Sequence, residues 1–134
     1  MVIGIDPKQP DPTFRFIGEG YAVYGGDYFL RAVGHKVTDQ PDKRYGAWVA
    51  PFYTEVAATW HPRLDRCFAP IKDATRPHLR YERLILPWST ASGEVLLTLS
   101  TRFLAPADAA ATGSAADGDS SSDKVLVRKP AKSS

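Results

Sequence analysis

Two extended segments at the end of the aromatic part of the chain constrain the fold most strongly, at residues 78–88 and 94–103. In the second segment, Val95, Leu97, Leu99, Thr101 and Phe103 face one way, and Glu94, Thr98, Ser100 and Arg102 face the other. A period of two predicts a strand with one buried face. Residues 89–93 predict the turn between the strands, with Gly93 able to take a positive φ angle. We expect an antiparallel hairpin.

Two further elements are predicted before this hairpin. Residues 51–59 carry aromatic and apolar side chains at helical spacing, and we predict a helix with Pro51 in its first turn and Pro62 beyond its end. Residues 63–72 then alternate between the two sides of a strand. Pro70 places that strand at or near a sheet edge, because proline has no amide to donate to a neighbouring strand.

The start of the chain is rich in proline, at Pro7, Pro10 and Pro12. We predict that residues 1–12 form a coil that leads into the domain. Two short strands are expected next, around Phe14 and at residues 21–24. A short helix beginning after Asp27 follows, and a polar loop over residues 36–44.

The order of strands and helices predicts an α+β fold, a five-stranded antiparallel sheet with short helices on one face. This domain covers residues 13–104, because Phe103 is the last aromatic residue. Residues 105–134 are mostly small and polar, and residues 125–127 supply almost all of their apolar surface. We expect a flexible, disordered C-terminal tail, because so little apolar burial does not offset the cost of ordering the chain.

Charge and composition exclude several classes of protein. The net charge is only +2, with no basic stripe and no zinc-finger or RNA-binding motif, so no nucleic-acid partner is expected. No apolar run approaches the roughly 20 residues of a membrane-spanning helix. With a single cysteine, Cys67, and no signal-peptide pattern, we expect a cytoplasmic protein that does not enter the membrane.

Aromatic side chains form the most informative group. Those on the predicted helix and strands could line a ligand cavity or simply fill the core. Arg83 lies within an apolar strand, where it could meet a buried Tyr or Trp or an acidic ligand. The cavity candidates are Trp48, Phe52, Tyr53, Trp60, Cys67, Tyr81, Arg83 and Trp88.

Local sequence resembles the PAS-like family of proteobacterial sensor domains. Phe14-Arg15-Phe16-Ile17-Gly18, followed by Val33-Gly34, is similar to the opening of such domains. The stretch Tyr81-Glu82-Arg83-Leu84-Ile85-Leu86-Pro87 is similar to their closing hairpin, and Ile5-Asp6-Pro7 is similar to their lead-in. The resemblance covers residues 13–104 and implies a cavity between helices and sheet that holds haem, flavin, a metabolite or nothing. It also implies dimerisation through the sheet face or flanking segments.

No cofactor is required by these residues. His35, His61 and His78 are the candidate haem ligands, but none lies in a supporting motif, and capping or solvent roles are expected. Cys67 lacks the motif of flavin-attaching light sensors, so neither haem nor flavin is expected, and Cys67 is interpreted as a small core residue. No metal-ligand spacing is present.

No residues form a recognisable catalytic pair. Glu55, Asp65, Asp73 and Glu82 are predicted to be solvated carboxylates, and no enzymatic activity is expected. We therefore expect a sensory or protein-interaction module, a homo-oligomer that signals through a ligand or a signalling partner. An NTF2-like enzyme or ligand carrier, a haem-binding sensor and a scaffold with a filled core are the alternatives. A PAS sheet places its first strand between the second and the last, which separates it from the NTF2-like cone.

Overall fold

The computed structural model describes residues 1–21, 26–70 and 78–104, and it confirms an α+β fold with a five-stranded antiparallel sheet. The strands are β1 (Val2–Asp6), β2 (Gln9–Phe16), β3 (Arg63–Pro70), β4 (His78–Ser89) and β5 (Val95–Phe103). Three short 3-10 helices, Glu19–Tyr21, Gly26–Arg31 and Val37–Asp39, precede the helix α1 (Lys43–Thr59). The predicted tail at residues 105–134 lies outside the described residues.

The strands lie side by side in the order β2-β1-β5-β4-β3. Every neighbouring pair is antiparallel. β1 therefore lies between β2 and β5, and Ile3 of β1 faces Phe14 on one side and Leu97 on the other. All three side chains are buried on the face that carries α1, so the two ends of the domain share one core.

The predicted coil at residues 1–12 is wrong. Val2–Asp6 forms β1, and Gln9–Phe16 forms β2 around the prolines. Ile3 and Ile5 are buried, and burial of these two β-branched side chains on one face outweighs the local signal of the prolines. Because β2 is an edge strand, prolines are tolerated where an amide would have no strand to bond.

A second strand is predicted at residues 21–24, and the structure describes only Tyr21 of this stretch. Tyr21 is not in a strand. Tyr21 ends a 3-10 helix, and residues 22–25 lie outside the described part of the chain. The predicted short helix after Asp27 corresponds to the 3-10 helix Gly26–Arg31.

Helix α1 begins at Lys43 rather than at Pro51. The Asp42 side chain caps it by accepting a hydrogen bond of 2.9 Å from the Tyr45 amide. Pro51 consequently lies inside the helix and not in its first turn, and its position removes one backbone hydrogen bond from the helix. One helix face is buried against the sheet and against the 3-10 helix Val37–Asp39, with Gly46, Val49, Ala50, Tyr53, Val56 and Ala57 at a spacing of three or four residues.

The C-terminal hairpin follows the prediction closely. β4 pairs with β5, and Gly93 in the connecting turn has a φ angle of 84°. β3 lies at the sheet edge and ends at Pro70, while residues 71 and 72 of the predicted strand lie outside the described part of the chain. The sheet has an inner face, which packs against α1, and an outer face on the opposite side.

Candidate functional site

Arg83 is the most deeply buried charged residue in the described part of the chain, with 2% of its side chain exposed. It lies on the inner face of β4, where its neighbours across the sheet are Asp65 of β3 and Thr101 of β5. Its Nη2 atom donates to Asp65 Oδ2 at 3.0 Å, and its Nη1 atom donates to the Tyr53 hydroxyl of α1 at 3.3 Å. Arg83 thereby joins the helix to two strands.

Charged side chains continue from Arg83 to the surface. Arg63 Nε donates to both carboxylate oxygens of Asp65, at 2.8 and 2.9 Å, and Arg63 Nη1 donates to Glu55 of α1 at 2.6 Å. Exposure of the side chains falls along this path, from 60% at Glu55 and 21% at Arg63 to 5% at Asp65. The charges alternate in sign, and the path crosses from the helix to the sheet.

Hydroxyl and thiol groups surround the arginine. The Tyr45 and Tyr81 hydroxyls are hydrogen-bonded to each other, and Cys67 faces Tyr81 across the strand pair. Burial raises the pKa of the Tyr45, Tyr53 and Tyr81 hydroxyls and of the Cys67 thiol above their ordinary values. These groups therefore remain neutral near pH 7, and we call them, together with Asp65 and Arg83, the inner cluster.

Aromatic rings close the inner cluster on the side of α1. The Arg83 guanidinium carbon lies 5.3 Å from the Tyr53 ring centre and 5.7 Å from that of Phe52, within the range of cation–π attraction. Arg63 stacks on Phe52 at 4.2 Å, and Trp48 packs edge-on against the same ring at 5.1 Å. Two guanidinium groups thus share one aromatic ring.

Six of the eight predicted cavity residues come together in or beside the inner cluster: Trp48, Phe52, Tyr53, Cys67, Tyr81 and Arg83. The prediction is wrong for the other two. Trp60 is the exposed residue that ends α1, and Trp88 lies exposed on the opposite face of the sheet. Trp88 is separated from Arg83 by an odd number of positions along β4, and alternation therefore turns it outward.

Three members of this site are not predicted by the sequence pattern. Asp65 was predicted to be solvated, yet it is buried between two arginines. Tyr45 and Arg63 were not singled out, although Tyr45 lies one helical turn before Trp48 and Val49. The signal for Asp65 was its position, which alternates in phase with the buried Cys67 and Ala69.

The outer face of the sheet carries a second feature, an uncovered apolar surface. Leu64, Leu84 and Ser100 form one row across three strands, and the next row is Leu86, Thr98, Val2 and Phe16. Beside these rows, Trp88 lies opposite Leu96 and donates its indole N–H to Thr98 at 2.9 Å. We call this surface the outer face.

Charged pairs border the outer face at both ends. Arg66 and Arg102 flank Glu82, at 2.6 and 3.2 Å, on one side. At the other end Arg15 pairs with Glu94 at 2.6 Å above Gly4, where any larger side chain would collide with the pair. Between them lies a groove of about 240 Å³, lined by Met1, Val2, Phe16, Leu84, Leu86, Thr98, Leu99 and Ser100. An apolar surface with a polar rim is typical of protein-interaction sites.

Of the three candidate haem ligands, His35 and His61 are exposed, and the side chain of His78 lies outside the described residues. Among the residues with described positions, no three His, Cys, Asp or Glu side chains are arranged to hold a metal ion. Within the same part of the chain, no helix has the length and apolarity needed to cross a bilayer.

Comparison of the chain with protein-family models, with curated proteins and with solved structures gives no significant match.

Proposed function

We propose that this chain is a PAS-like sensory and protein-interaction module that signals by changing its contacts with a second copy of itself. The strand order carries this proposal. β1 lies between β2 and β5, as a PAS sheet requires, and α1 packs with the short helices on one face only. The same observation favours the PAS-like assignment over the NTF2-like alternative.

The state of Asp65 supports a binding role over an enzymatic one. A general base needs an oxygen that can accept the proton of a substrate. Both Asp65 oxygens accept from Arg63, and one accepts from Arg83 as well. This carboxylate therefore serves to hold two strands and a helix together, and the proposed module acts without catalysis.

The outer face is the proposed docking surface for the second copy. Its centre is apolar and uncharged, so the same surface can pack against itself around a twofold axis without placing like charges together. Its rim holds ion pairs that are already satisfied within one chain, Arg15–Glu94 and Arg66–Glu82. Burial of an exposed leucine, phenylalanine or tryptophan at such an interface favours association.

Sedimentation velocity over a range of protein concentrations tests this proposal. The matched variants are Leu64→Lys on the outer face and Leu30→Lys on a 3-10 helix, because these leucines are 56% and 66% exposed. We expect the wild-type chain and Leu30→Lys to dimerise and Leu64→Lys to remain monomeric at the same concentrations. A monomeric wild type, or equal dimerisation of both variants, contradicts the proposed docking surface.

The inner cluster is the proposed position of the sensed ligand. It joins α1 to β3 and β4 through Arg83, so a ligand bound there would act on both layers of the fold. β4 also supplies Leu84 and Leu86 to the outer face. A ligand that favours one arrangement of β4 would shift the association equilibrium by its difference in affinity for the two arrangements.

A further inference from the structure

The inner cluster contains a hydrogen-bond donor that lacks an acceptor. Arg83 uses Nη1 and Nη2 to bond Tyr53 and Asp65, but its Nε atom has no partner among the described residues. The side chain is 2% exposed, so water does not satisfy this group freely. A buried N–H group without an acceptor costs free energy that an added acceptor would recover.

The one carboxylate of the inner cluster is shared between two arginines. Asp65 accepts hydrogen bonds from Arg83 and from Arg63, while Arg63 also pairs with the exposed Glu55 at 2.6 Å. The four charges balance along this path, so the demand for a further acceptor is local to Arg83 Nε. An anionic acceptor at this atom would form a charge-assisted hydrogen bond, which is stronger than a neutral one.

We propose that the inner cluster binds a small organic carboxylate. This inference rests on the proposed function, for which it names the chemical class of the ligand. The ligand carboxylate accepts a charge-assisted hydrogen bond from Arg83 Nε, and its apolar body packs against Phe52 and Trp48. A carboxylate suits this position because its two oxygens can bridge the guanidinium edge and a tyrosine hydroxyl.

Access to the cluster is available where α1 meets β3. The side chains of Trp48, Phe52 and Arg63 are half-buried there, and they contact one another through rings and a guanidinium group. In the proposed complex, Phe52 and Arg63 rotate to open this contact. Such side-chain changes are common when a protein binds a ligand or partner.

The three tryptophans of the chain allow a direct test, because each reports a different place. Trp48 lies beside the inner cluster, Trp60 at the end of α1 and Trp88 on the outer face. The indole N–H signals are followed by ¹H–¹⁵N NMR while benzoate is added to the full chain at constant ionic strength. Benzamide, which is neutral and has the same ring, and inorganic phosphate are added in parallel.

We expect benzoate to shift the Trp48 signal in a saturable manner and to leave Trp60 and Trp88 unchanged. Benzamide and phosphate should shift Trp48 at least about tenfold more weakly, because one lacks the charge and the other lacks the apolar body. Equal effects of benzoate and benzamide, a stronger effect of phosphate, or a benzoate shift at Trp88 alone would overturn the proposal.

Variants locate the site. The double change Arg83→Met and Asp65→Asn removes both charges together, so that neither is left buried alone. It should weaken benzoate binding about tenfold or more. Arg102→Gln removes an exposed arginine of the outer face and should bind benzoate as the wild type does. Equal weakening of benzoate binding in the two variants contradicts the site. If the double variant does not fold, the indole signals of the three tryptophans in the wild type test the proposal.

The test of carboxylate binding is independent of the test of dimerisation. Dimerisation through the outer face is measured without any added ligand. If the wild type dimerises through Leu64 but benzoate fails to shift Trp48, the carboxylate proposal alone is overturned. If benzoate binds at Trp48 and the chain is monomeric, the ligand site stands and the docking proposal fails.

Discussion

Asp65 and Arg83 lie directly opposite each other on β3 and β4 and form an ion pair of 3.0 Å that is almost fully shielded from solvent. The pair is a product of strand register, because a shift of either strand by one residue would turn one partner to the outer face. Removing two charges from water is costly, and this cost is recovered only when both partners are present. The pair therefore specifies the alignment of β3 with β4.

Removal of one member of the pair should destabilise the fold strongly. We expect Asp65→Asn to lower the free energy of unfolding by about 3 kcal/mol or more, because Arg83 is left as a buried charge without its carboxylate. Urea denaturation measures the change. The control is Glu82→Gln, whose ion pairs lie on the outer face and should cost less than about 1 kcal/mol. A double variant with Asp65→Leu and Arg83→Met should recover much of the loss, and similar losses for Asp65→Asn and Glu82→Gln would contradict the argument.

A methyl group at Gly46 should also destabilise the protein. A Cβ atom at this position in α1 would lie 2.8 Å from the Val37 carbonyl oxygen and 3.2 Å from Thr38 Cα, both of which belong to the backbone. We expect Gly46→Ala to cost about 1–3 kcal/mol in a urea melt, although alanine is the better helix former. Gly20→Ala is the control, because its Cβ would meet nothing within 4 Å. It should change stability by less than about 0.5 kcal/mol, and an equal effect at both positions would show that α1 does not approach Val37 so closely.

Trp60 ends α1 in a left-handed conformation, with a φ angle of 58°, and its amide donates to the Val56 carbonyl at 2.9 Å. Side chains with a Cβ are strained in this region, whereas glycine is not. We expect Trp60→Gly to be more stable than Trp60→Ala by about 1 kcal/mol. Thermal or urea unfolding of the two variants measures the difference in stability. Because both variants lack the indole ring, its loss does not contribute to this difference. Equal stability of the two variants would argue against the left-handed cap.

Alkaline pH should destabilise the fold through the buried tyrosines. Burial raises the pKa of Tyr53 in the folded chain, whereas unfolded tyrosine has a pKa of about 10. Its contribution to stability is complete below pH 10 and is lost as the pH rises above 10, because only the unfolded state then releases the proton. Between pH 9 and pH 11, wild type should lose about 1.4 kcal/mol more than Tyr53→Phe. Urea unfolding at the two pH values tests this, and identical losses would contradict it.

The C-terminal half of the fold could be predicted from sequence because its signals are local. Alternation in residues 94–103 and Gly93 in the turn define a hairpin by themselves. The N-terminal half could not be predicted in the same way. β1 is short, and it is stabilised by its two neighbours in the sheet, one of which lies more than 90 residues away along the chain.

The inner cluster was partly predictable for the same reason. Arg83 stands out as a charge in an apolar strand, and its need for a buried partner follows from physical chemistry. Which carboxylate meets it depends on the pairing of β3 with β4, and four acidic residues were equivalent in sequence. The position of Asp65 in phase with Cys67 was the one local indication.

The central position of β5 has a consequence for synthesis on the ribosome. β1 emerges first, yet one of its two edges stays open until residue 103 has left the exit tunnel, because β5 is the partner that covers it. At usual rates of translation this delay lasts roughly 5 to 20 s. During that time Ile3 and Ile5 lack the Leu97 and Leu99 side chains that complete their core. Completion of the sheet is therefore a late event in synthesis, because β1 and β5 are far apart along the chain.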